Sequence, residues 1–261
     1  MKIIFLIGFT FIFSLYGSTA KFTIFSLNSP TSKKREIALK KILSEETKTA
    51  AKHLTIANMS TLQGYNIKNI EKLNKLHVDV AIMQPEQMNL IKEEKDKFLN
   101  FAKFHLLSSN FIDEKGSYLF GAAQALVYDI DNIKVGVFAI SSSKKIPSEK
   151  EKKIYYLPSS FAAKKMIQDL KNKKADVIIA ISHQTLDEDK KLLKAFKDID
   201  MIVGCHNKET ISSYEDQVFI YKLNHTDSHL VRIDLAIEKK DNQPKHEINF
   251  YPSWRDVKIE E

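Results

Sequence analysis

The chain has 261 residues, 43% hydrophobic and 28% charged, a composition typical of a globular protein large enough to bury a core without covalent cross-links. Its formal net charge of +7 reflects lysines spread along the chain, so a clustered, arginine-rich nucleic-acid surface is not indicated and no nucleic-acid partner is expected. The single cysteine, Cys205, excludes an intramolecular disulfide.

The N-terminal segment, residues 1–20, has the pattern of a secretory signal peptide. One lysine precedes an apolar run over residues 3–15, and small residues stand at Ser18 and Ala20. The run is shorter than the about 20 residues that a membrane span needs. We expect cleavage after Ala20, a periplasmic or secreted protein and no transmembrane span in the mature chain. An uncleaved membrane anchor is the alternative. Residues 21–261 are predicted to form one domain.

The first part of the mature chain alternates strand and helix patterns. The segment FTIFSLN predicts a strand, and REIALKKILSEETKTAAKHL predicts a helix with apolar positions at Ile37, Leu39, Ile42 and Leu43. A second helix, IKNIEKLNKL, leads into the short strand VDVAIM, and residues 86–98 predict a further helix.

The middle of the chain is predicted to be rich in loops. The loops begin at Leu106 and Leu107, and the polar segment SSSKKIPSEKEKKIYY is interpreted as one long loop. Between them, AAQALVYDI and IKVGVFAIS predict a hairpin around a turn at Asp131 and Asn132.

The last hundred residues alternate helix and strand before strands alone follow. We expect helices at 159–171 and 187–197 and strands at 176–181 and 200–203. Three more strand patterns come next: QVFIYKLN, SHLVRIDLAIE and EINFYPS. This alternation favours a mixed α/β domain.

Two of these strands end close to a histidine, in the stretch ADVIIAISHQTLDEDKKLLKAFKDIDMIVGCHNKE. His183 comes two residues after Ile181, and His206 comes three after Val203. Ligands of α/β sheets collect at the carboxyl ends of the strands. Both histidines therefore stand where a binding site would form.

This stretch resembles the C-terminal half of the calcineurin-like metallophosphoesterases, in the branch of the secreted 5′-nucleotidases and UDP-sugar hydrolases. In that family one strand ends in Ser-His, a Gly-x-(Asp/Glu)-Asp helix follows, and a later strand ends in Gly-Gly-His-x-His. Ser182 and His183 match the first motif, and His206 matches the first histidine of the last. The segments FTIFSLNSPT and IKVGVFAIS occupy the places of two further family strands.

The resemblance implies a fold and a chemistry. The fold is an α-β-β-α sandwich, in which two mixed sheets are flanked by helices in a single domain. The chemistry uses two metal ions, about 3.5–4 Å apart, that hold the phosphate and the attacking hydroxide. Such a centre needs a bridging carboxylate with His, Asn and Asp ligands around it.

Most ligand positions that the resemblance implies carry unsuitable side chains. The Asp-x-His pair falls on Ser29 and Thr31, the bridging Asp on Ser60, the Asn on Gln84, the catalytic His on Pro85 and the last His on Lys208. His183 and His206 are the candidates that remain, and Glu86 is a weaker one.

Two interpretations of His183 and His206 stay open. In the first, they hold a single divalent ion, zinc or manganese, with Glu86 and Cys205 as the further ligands. In the second, they are hydrogen-bonded histidines at strand ends, and the chain holds no cofactor. The ammonium group of Lys208 favours the second, because two unit charges about 4 Å apart repel by about 4 kcal/mol at an effective dielectric constant of about 20.

Two other groups of residues invite a functional interpretation. Cys205 is either a thiol activated by a neighbouring cation or a buried, inert cysteine, and we expect the latter. The segment NHTDSH contains His225, Asp227 and His229, whose side chains could bind a metal. Its place between two apolar strands favours a hairpin turn instead.

Three functions follow from these observations. The preferred one is an exported, catalytically degenerate phosphoesterase-like protein that acts as a binding or assembly module in the cell envelope, with an unidentified protein or anionic ligand as partner. The second is an active phosphoesterase or nucleotidase with a reduced metal site. The third is a basic envelope protein that binds anions without chemistry. Since the chain ends at Glu261, we expect the family's separate C-terminal substrate-binding domain to be absent.

Overall fold

The computed structural model describes residues 17–50, 52–58, 67–82, 100–118, 122–142, 154–207, 209–224, 229–240 and 253–258. In chain order, the described elements are β1 (Gly17–Asn28), α1 (Lys33–Glu46), β2 (Lys52–Asn58), α2 (Ile67–Lys75), β3 (Val80–Ile82), β4 (His105–Leu107), β5 (Phe111–Asp113), β6 (Ala125–Ile130), β7 (Ile133–Ser141), β8 (Ile154–Tyr156), α3 (Ser159–Asn172), β9 (Val177–His183), α4 (Leu186–Ala195), β10 (Met201–Asn207), β11 (Ile211–Glu215), β12 (Val218–Asn224), β13 (His229–Lys240) and β14 (Ser253–Lys258).

The described strands form two mixed six-stranded sheets and one small antiparallel pair. The first sheet has the order β14-β13-β1-β2-β3-β4, in which β1 to β4 are parallel and β13 and β14 are antiparallel additions. The second has the order β11-β12-β10-β9-β7-β6, with a parallel centre from β12 to β7. The small pair joins β5 to β8. Parallel centres bring the carboxyl ends of successive strands to one edge of each sheet.

The alternation of side chains along β1 shows how the layers form. Phe22 and Ile24 belong to the core between the two sheets, whereas Phe25 and Leu27 belong to the core beneath α1 and α2. A third core packs α3 and α4 on the other side of the second sheet. These three apolar layers make the α-β-β-α sandwich, and they confirm the predicted fold class.

Several predicted elements are confirmed. The hairpin of β6 and β7 turns at Asp131 and Asn132, both with positive φ angles of 48° and 69°, as a tight hairpin requires. The predicted helices at 159–171 and 187–197 correspond to α3 and α4. The predicted helix at 86–98 lies outside the described residues. Of the predicted strand EINFYPS only Ser253 is described, where β14 begins.

Three local predictions are wrong. The helix predicted from REIALKKILSEETKTAAKHL ends at Glu46, and its last residues begin β2 instead. Ile37 is 60% exposed, because the apolar face of α1 is made by Leu39 and Leu43. Leu106 and Leu107 form β4 rather than a loop, since they extend the parallel edge of the first sheet beside β3.

Two connections also differ from prediction. Residues 154–156, which were expected to end a long loop, form β8 by pairing with β5. The segment NHTDSH does not close a hairpin, because β12 lies in the second sheet and β13 in the first. It therefore joins the two sheets, and residues 225–228 within it lie outside the described ranges.

The N-terminal end of β1 overlaps the predicted signal peptide. Residues 1–16 lie outside the described part of the chain, and β1 begins at Gly17, four residues before the expected mature start. Ala20 is buried in the core between the sheets and pairs with Ile237 of β13. Among the helices of the described ranges, none has the length and apolar character needed to cross a membrane.

Candidate functional site

The carboxyl ends of strands from both sheets meet at one edge of the sandwich. The side-chain amide of Asn28, the last residue of β1, donates to the carbonyl oxygen of Asn224 on β12 at 2.7 Å. The amide of Asn58, the last residue of β2, donates to Oδ1 of Asn28 at 3.0 Å. Both asparagines are buried. Neutral amide groups thus join the two sheets at the place where the resemblance implies a metal centre.

The two positions of the implied Asp-x-His pair take different environments. Ser29 is buried, and both its backbone N–H and its hydroxyl donate to the carbonyl oxygen of Asn58, at 3.0 and 3.1 Å. Thr31 is exposed, and its hydroxyl accepts from Nη1 of Arg35 at 3.1 Å. Ser29 therefore ties β1 to β2, whereas Thr31 interacts with the first turn of α1.

His183 is the last residue of β9 and is only 3% exposed. It pairs with Ser141 of β7, and its carbonyl oxygen accepts from the backbone N–H of Ser142 at 3.1 Å. By the alternation of β9, His183 shares the face of Ile179 and Ile181, which pack in the core between the sheets. The structure thus places this imidazole on the inner face of the second sheet, which packs against the first sheet.

His206 lies on β10, the strand beside β9. The two strands pair through Gly204 and Ser182, so that His183 and His206 come to the ends of neighbouring strands. The side chain of His206 lies outside the described residues, as do Glu86 and the family positions Ser60, Gln84, Pro85 and Lys208.

Cys205 is buried between the sheets. Burial raises the pKa of its thiol to about 12, although the positive charge of Lys222 and a hydrogen bond with Asn58 act in the opposite direction. The negative charge of Asp189 raises the pKa further. The thiol is therefore protonated near neutral pH in the metal-free protein, and its burial confirms the expectation of a buried cysteine.

A buried ion pair supports the Ser-His strand end from the outer face of the second sheet. Nζ of Lys222 lies 2.5 Å from Oδ2 of Asp189, and both side chains are 0% exposed. The same ammonium group donates to Oγ of Ser182 at 3.2 Å and to the carbonyl oxygen of Gln184 at 2.9 Å. Ser182 in turn donates to Oδ1 of Asp189 at 2.5 Å. Every charge in this cluster thus has a partner, as buried charges require.

The cluster continues into the surrounding elements. Nε2 of Gln184 donates to the hydroxyl of Ser159 at 2.7 Å, at the start of α3. Thr185 and Glu188 form a capping box that begins α4 directly after the strand end. These bonds fix the path of the chain from β9 into α4. Ser182 and His183 face opposite sides of the sheet, because successive side chains of a strand alternate between its two faces.

The described side chains do not fit a two-metal centre. The ends of β1 and β2 supply two amides and a hydroxyl, all engaged with each other or with backbone carbonyls, where a bridging carboxylate is needed. Across the described ranges, no group of three or more His, Cys, Asp and Glu side chains is placed to hold a metal ion. The chemistry of the donors that the structure describes thus opposes a binuclear site.

Comparison with known proteins gives partial sequence matches. No family model matches the chain. YunD, an uncharacterised metallophosphoesterase of Bacillus subtilis, is 27% identical over 158 residues, which are 59% of this chain and 33% of that protein. An apyrase of Anopheles gambiae is 32% identical over 97 residues, 37% of this chain and 17% of that protein. The chain thus spans a third or less of the length of these relatives.

Solved structures match over nearly the whole chain. A putative 5′-nucleotidase from Staphylococcus aureus superposes with a TM-score of 0.74 at 13% identity, covering 92% of this chain and 54% of that one. The calcineurin-like phosphoesterase YfkN from Bacillus subtilis gives a TM-score of 0.72 at 15% identity, covering 92% and 91%. The sequence resemblance is thereby confirmed at the level of architecture: the chain has the calcineurin-like metallophosphoesterase fold of these structures.

Proposed function

We propose that this chain is an exported, catalytically degenerate member of the metallophosphoesterase fold that acts as a binding or assembly module in the cell envelope. The observation that carries the proposal is the amide cluster of Asn28, Asn58 and Asn224 at the strand ends. It occupies the region where phosphoester hydrolysis by this fold needs carboxylates and metal ions.

Electrostatics support the proposal. A binuclear centre concentrates four positive charges, which carboxylate ligands must balance. The described ends of β1 and β2 contribute no negative charge, since Asn28, Ser29 and Asn58 are all neutral. These described side chains at the ends of β1 and β2 would therefore not balance the charge of two divalent ions.

The hydrogen bonds also explain these residues without a metal. Asn28 donates through its amide to β12 of the second sheet and accepts through its oxygen from Asn58 of its own sheet, so Asn28 links the two sheets and Asn58 holds its side chain in place. His183 is held on a strand end whose course is fixed by the buried Lys222–Asp189 pair. A structural role thus accounts for the retained Ser-His motif.

The cellular part of the proposal rests on the sequence. Residues 1–20 have the charge, apolar run and small residues of a signal peptide. Export would place the mature chain in the envelope, where its positive net charge, +7 for the full sequence and one less without Lys2, attracts anionic partners.

Metal binding provides the test. We would titrate Mn²⁺ and Zn²⁺ into the purified mature chain by calorimetry and measure the metal that co-purifies, for the wild type and for His183→Ala and His206→Ala. His53→Ala is the matched control, because His53 lies at the opposite end of β2. The proposal predicts no stoichiometric binding that depends on either strand-end histidine.

A second candidate function is an active phosphoesterase with one metal ion. It is favoured by one observation, the pairing of β9 with β10, which brings His183 and His206 to adjacent strand ends. One ion bound per chain, lost in both strand-end variants but kept in His53→Ala, would support this candidate and contradict degeneracy.

A further inference from the structure

A cavity of about 320 Å³ lies at the opposite end of the first sheet, between α1, the end of α2 and the start of β2. His53 lines this cavity, whereas Asn58 on the same strand belongs to the amide cluster. Five residues of extended strand separate them, which is about 17 Å. The cavity is therefore distinct from the strand-end site.

The charge of the cavity lining has one sign. Lys40 and Lys75 contribute ammonium groups, His53 and His77 contribute imidazoles, and no carboxylate lines the cavity among the described residues. Lys75 shares the carboxylate of Glu36, 3.8 Å away, with a second lysine. One carboxylate between two lysines leaves a net positive charge.

The nearby acidic groups outside the cavity are already engaged. Glu46 pairs with Arg232 at 2.9 Å. Asp79 accepts from the backbone N–H of Thr55 at 2.7 Å; burial raises the pKa of its carboxyl group, whereas this hydrogen bond and the charges of His53, His105 and His77 lower it. The positive charge of Arg232 reduces the repulsion that Glu46 would exert on an anion in the cavity, and Asp79 interacts with the two imidazoles of the lining.

The end of α1 does not oppose an anion either. Helix C-termini repel anions through exposed carbonyl groups. Here the carbonyl of Leu43 accepts from both the backbone and the hydroxyl of Thr47, at 2.9 and 2.8 Å. The carbonyl of Glu46 accepts from Thr49 and from Arg232, both at 3.1 Å. Hydrogen-bond donors thus occupy both of these carbonyl groups at the end of α1.

The rest of the lining indicates the size and nature of the ligand. Ser44 and Thr47 add hydroxyl groups, and Leu43 and Leu76 add an apolar surface. A volume of about 320 Å³ is at the small end of the range for small-molecule sites, about 300–1,000 Å³. It is larger than an inorganic anion needs, and the apolar surface suits a small organic group beside the charge.

We propose that this cavity is a second ligand site that takes a small organic phosphate, with the phosphate held by Lys40 and Lys75 and the organic group against Leu43 and Leu76. The site needs no metal and no residue of the strand ends. It is independent of whether the fold retains hydrolytic activity.

Calorimetric titration of the purified mature chain tests the proposal, with ribose 5-phosphate, inorganic phosphate and inorganic sulfate as probes. We compare Lys40→Gln and Lys75→Gln with Lys41→Gln, which removes the same charge from an exposed neighbouring position on α1. Ribose 5-phosphate should bind one per chain and more tightly than either inorganic anion. Each cavity variant should weaken its binding by about tenfold, the loss expected for one charge-assisted hydrogen bond. Lys41→Gln should not.

The location is checked independently with His183→Ala and by NMR of the imidazole groups. The proposal predicts that His183→Ala binds ribose 5-phosphate like the wild type, and that the His53 and His77 signals shift during the titration. Any of four results would overturn the proposal. They are absence of binding, equal weakening in Lys41→Gln, loss of binding in His183→Ala, and sulfate binding as tight as that of ribose 5-phosphate. Thermal unfolding of every variant, including the buried His183→Ala, identifies any that has lost the fold, and binding is compared among the folded variants.

Discussion

Gly204 is the residue that sets how closely β10 approaches β9. A Cβ atom at this position would stand 1.8 Å from the carbonyl oxygen of Ser182, which belongs to the backbone of the paired strand. The carbonyl also lies 3.5 Å from the buried ammonium group of Lys222. Because the Ser182 backbone pairs with Gly204 and its carbonyl oxygen contacts Lys222, it cannot move away from a methyl group added at position 204.

We therefore expect Gly204→Ala to lower the free energy of unfolding by about 3 kcal/mol, at the upper end of overpacking costs. Gly136→Ala is the matched control, because its Cβ would meet the side chain of Leu170 at 2.8 Å, and a side chain can shift more easily than backbone. Urea denaturation measures both variants. Equal losses for the two would show that the Ser182 backbone is not the obstacle.

Cys205 gives a second prediction for a single residue. With a thiol pKa of about 12, the reactive thiolate is about one ten-thousandth of the total at pH 8. A thiol reagent should therefore label the native protein far more slowly than the urea-unfolded chain. The rate in the native protein should rise about tenfold per pH unit between pH 8 and pH 11, as the thiolate fraction does below this pKa. Labelling of the native protein at the rate of the unfolded chain at pH 8 would contradict the burial of this side chain.

The sequence predicts some of these residue environments and not others. Strand alternation alone predicts that Ser182 and His183 face opposite sides of the sheet. The partnership of Asp189 and Lys222 is harder to foresee, although each leaves a signal: Lys222 interrupts the apolar strand QVFIYKLN, and Asp189 lies one turn before the buried Leu192 and Leu193. Their contact depends on the packing of α4 on the second sheet, which no local pattern specifies.

At the scale of elements, the Lys222–Asp189 pair connects β12 to α4 and supports the end of β9. Removing one partner leaves a buried charge without compensation, which costs about 3–5 kcal/mol. Asp189→Leu and Lys222→Met should each destabilise the fold by that amount. The double variant should be less destabilised than the sum, because it leaves neither charge in the interior.

Chemical denaturation of the two single variants and the double variant forms a cycle that measures this coupling. Lys197→Met with Asp216→Leu is a suitable control, since that pair is also 2.5 Å apart but exposed on both sides. The exposed pair should show a much smaller coupling, because solvent screens its charges. Additive effects at the buried pair would contradict its role in joining the elements.

Element boundaries show why sequence patterns succeed or fail. The β6–β7 hairpin is predictable because its turn residues and flanking apolar runs are local signals. The start of β2 is not, since KTAAKHL continues the helix-favouring pattern of α1, and the strand is buried on both faces beyond His53 without simple alternation. The short strands β4, β5 and β8 depend on pairing with distant partners.

At the scale of the whole molecule, the three apolar layers follow from the family resemblance, whereas periodicity alone indicates only a mixed α/β domain. The meeting of Asn28, Asn58 and Asn224 could not be predicted from spacing, because Asn28 and Asn224 are 196 residues apart and lie in different sheets. The absence of carboxylates at the implied ligand positions is, by contrast, visible in the sequence.

The N-terminus provides a prediction at this scale. Cleavage after Ala20 would remove the first four residues of β1 and leave Lys21–Leu27 paired with β13. We expect intact-mass measurement of protein from the periplasmic fraction to give a chain that begins at Lys21. The remaining pairs should keep the fold, as measured by thermal unfolding of that form. A chain that begins at Met1 and is recovered in the membrane fraction would show that the segment is an anchor instead.

The central claim is that the strand ends no longer support phosphoester hydrolysis. Phosphate release from a panel of nucleotides and phosphodiesters, with Mn²⁺, Zn²⁺, Mg²⁺ or Ca²⁺ added, tests it most directly. The purified mature chain is compared with His183→Ala and His206→Ala. The account predicts no release by the wild type above that of the two variants. Metal-dependent turnover that both substitutions abolish would contradict it, and would assign an active site to the histidines at the ends of β9 and β10.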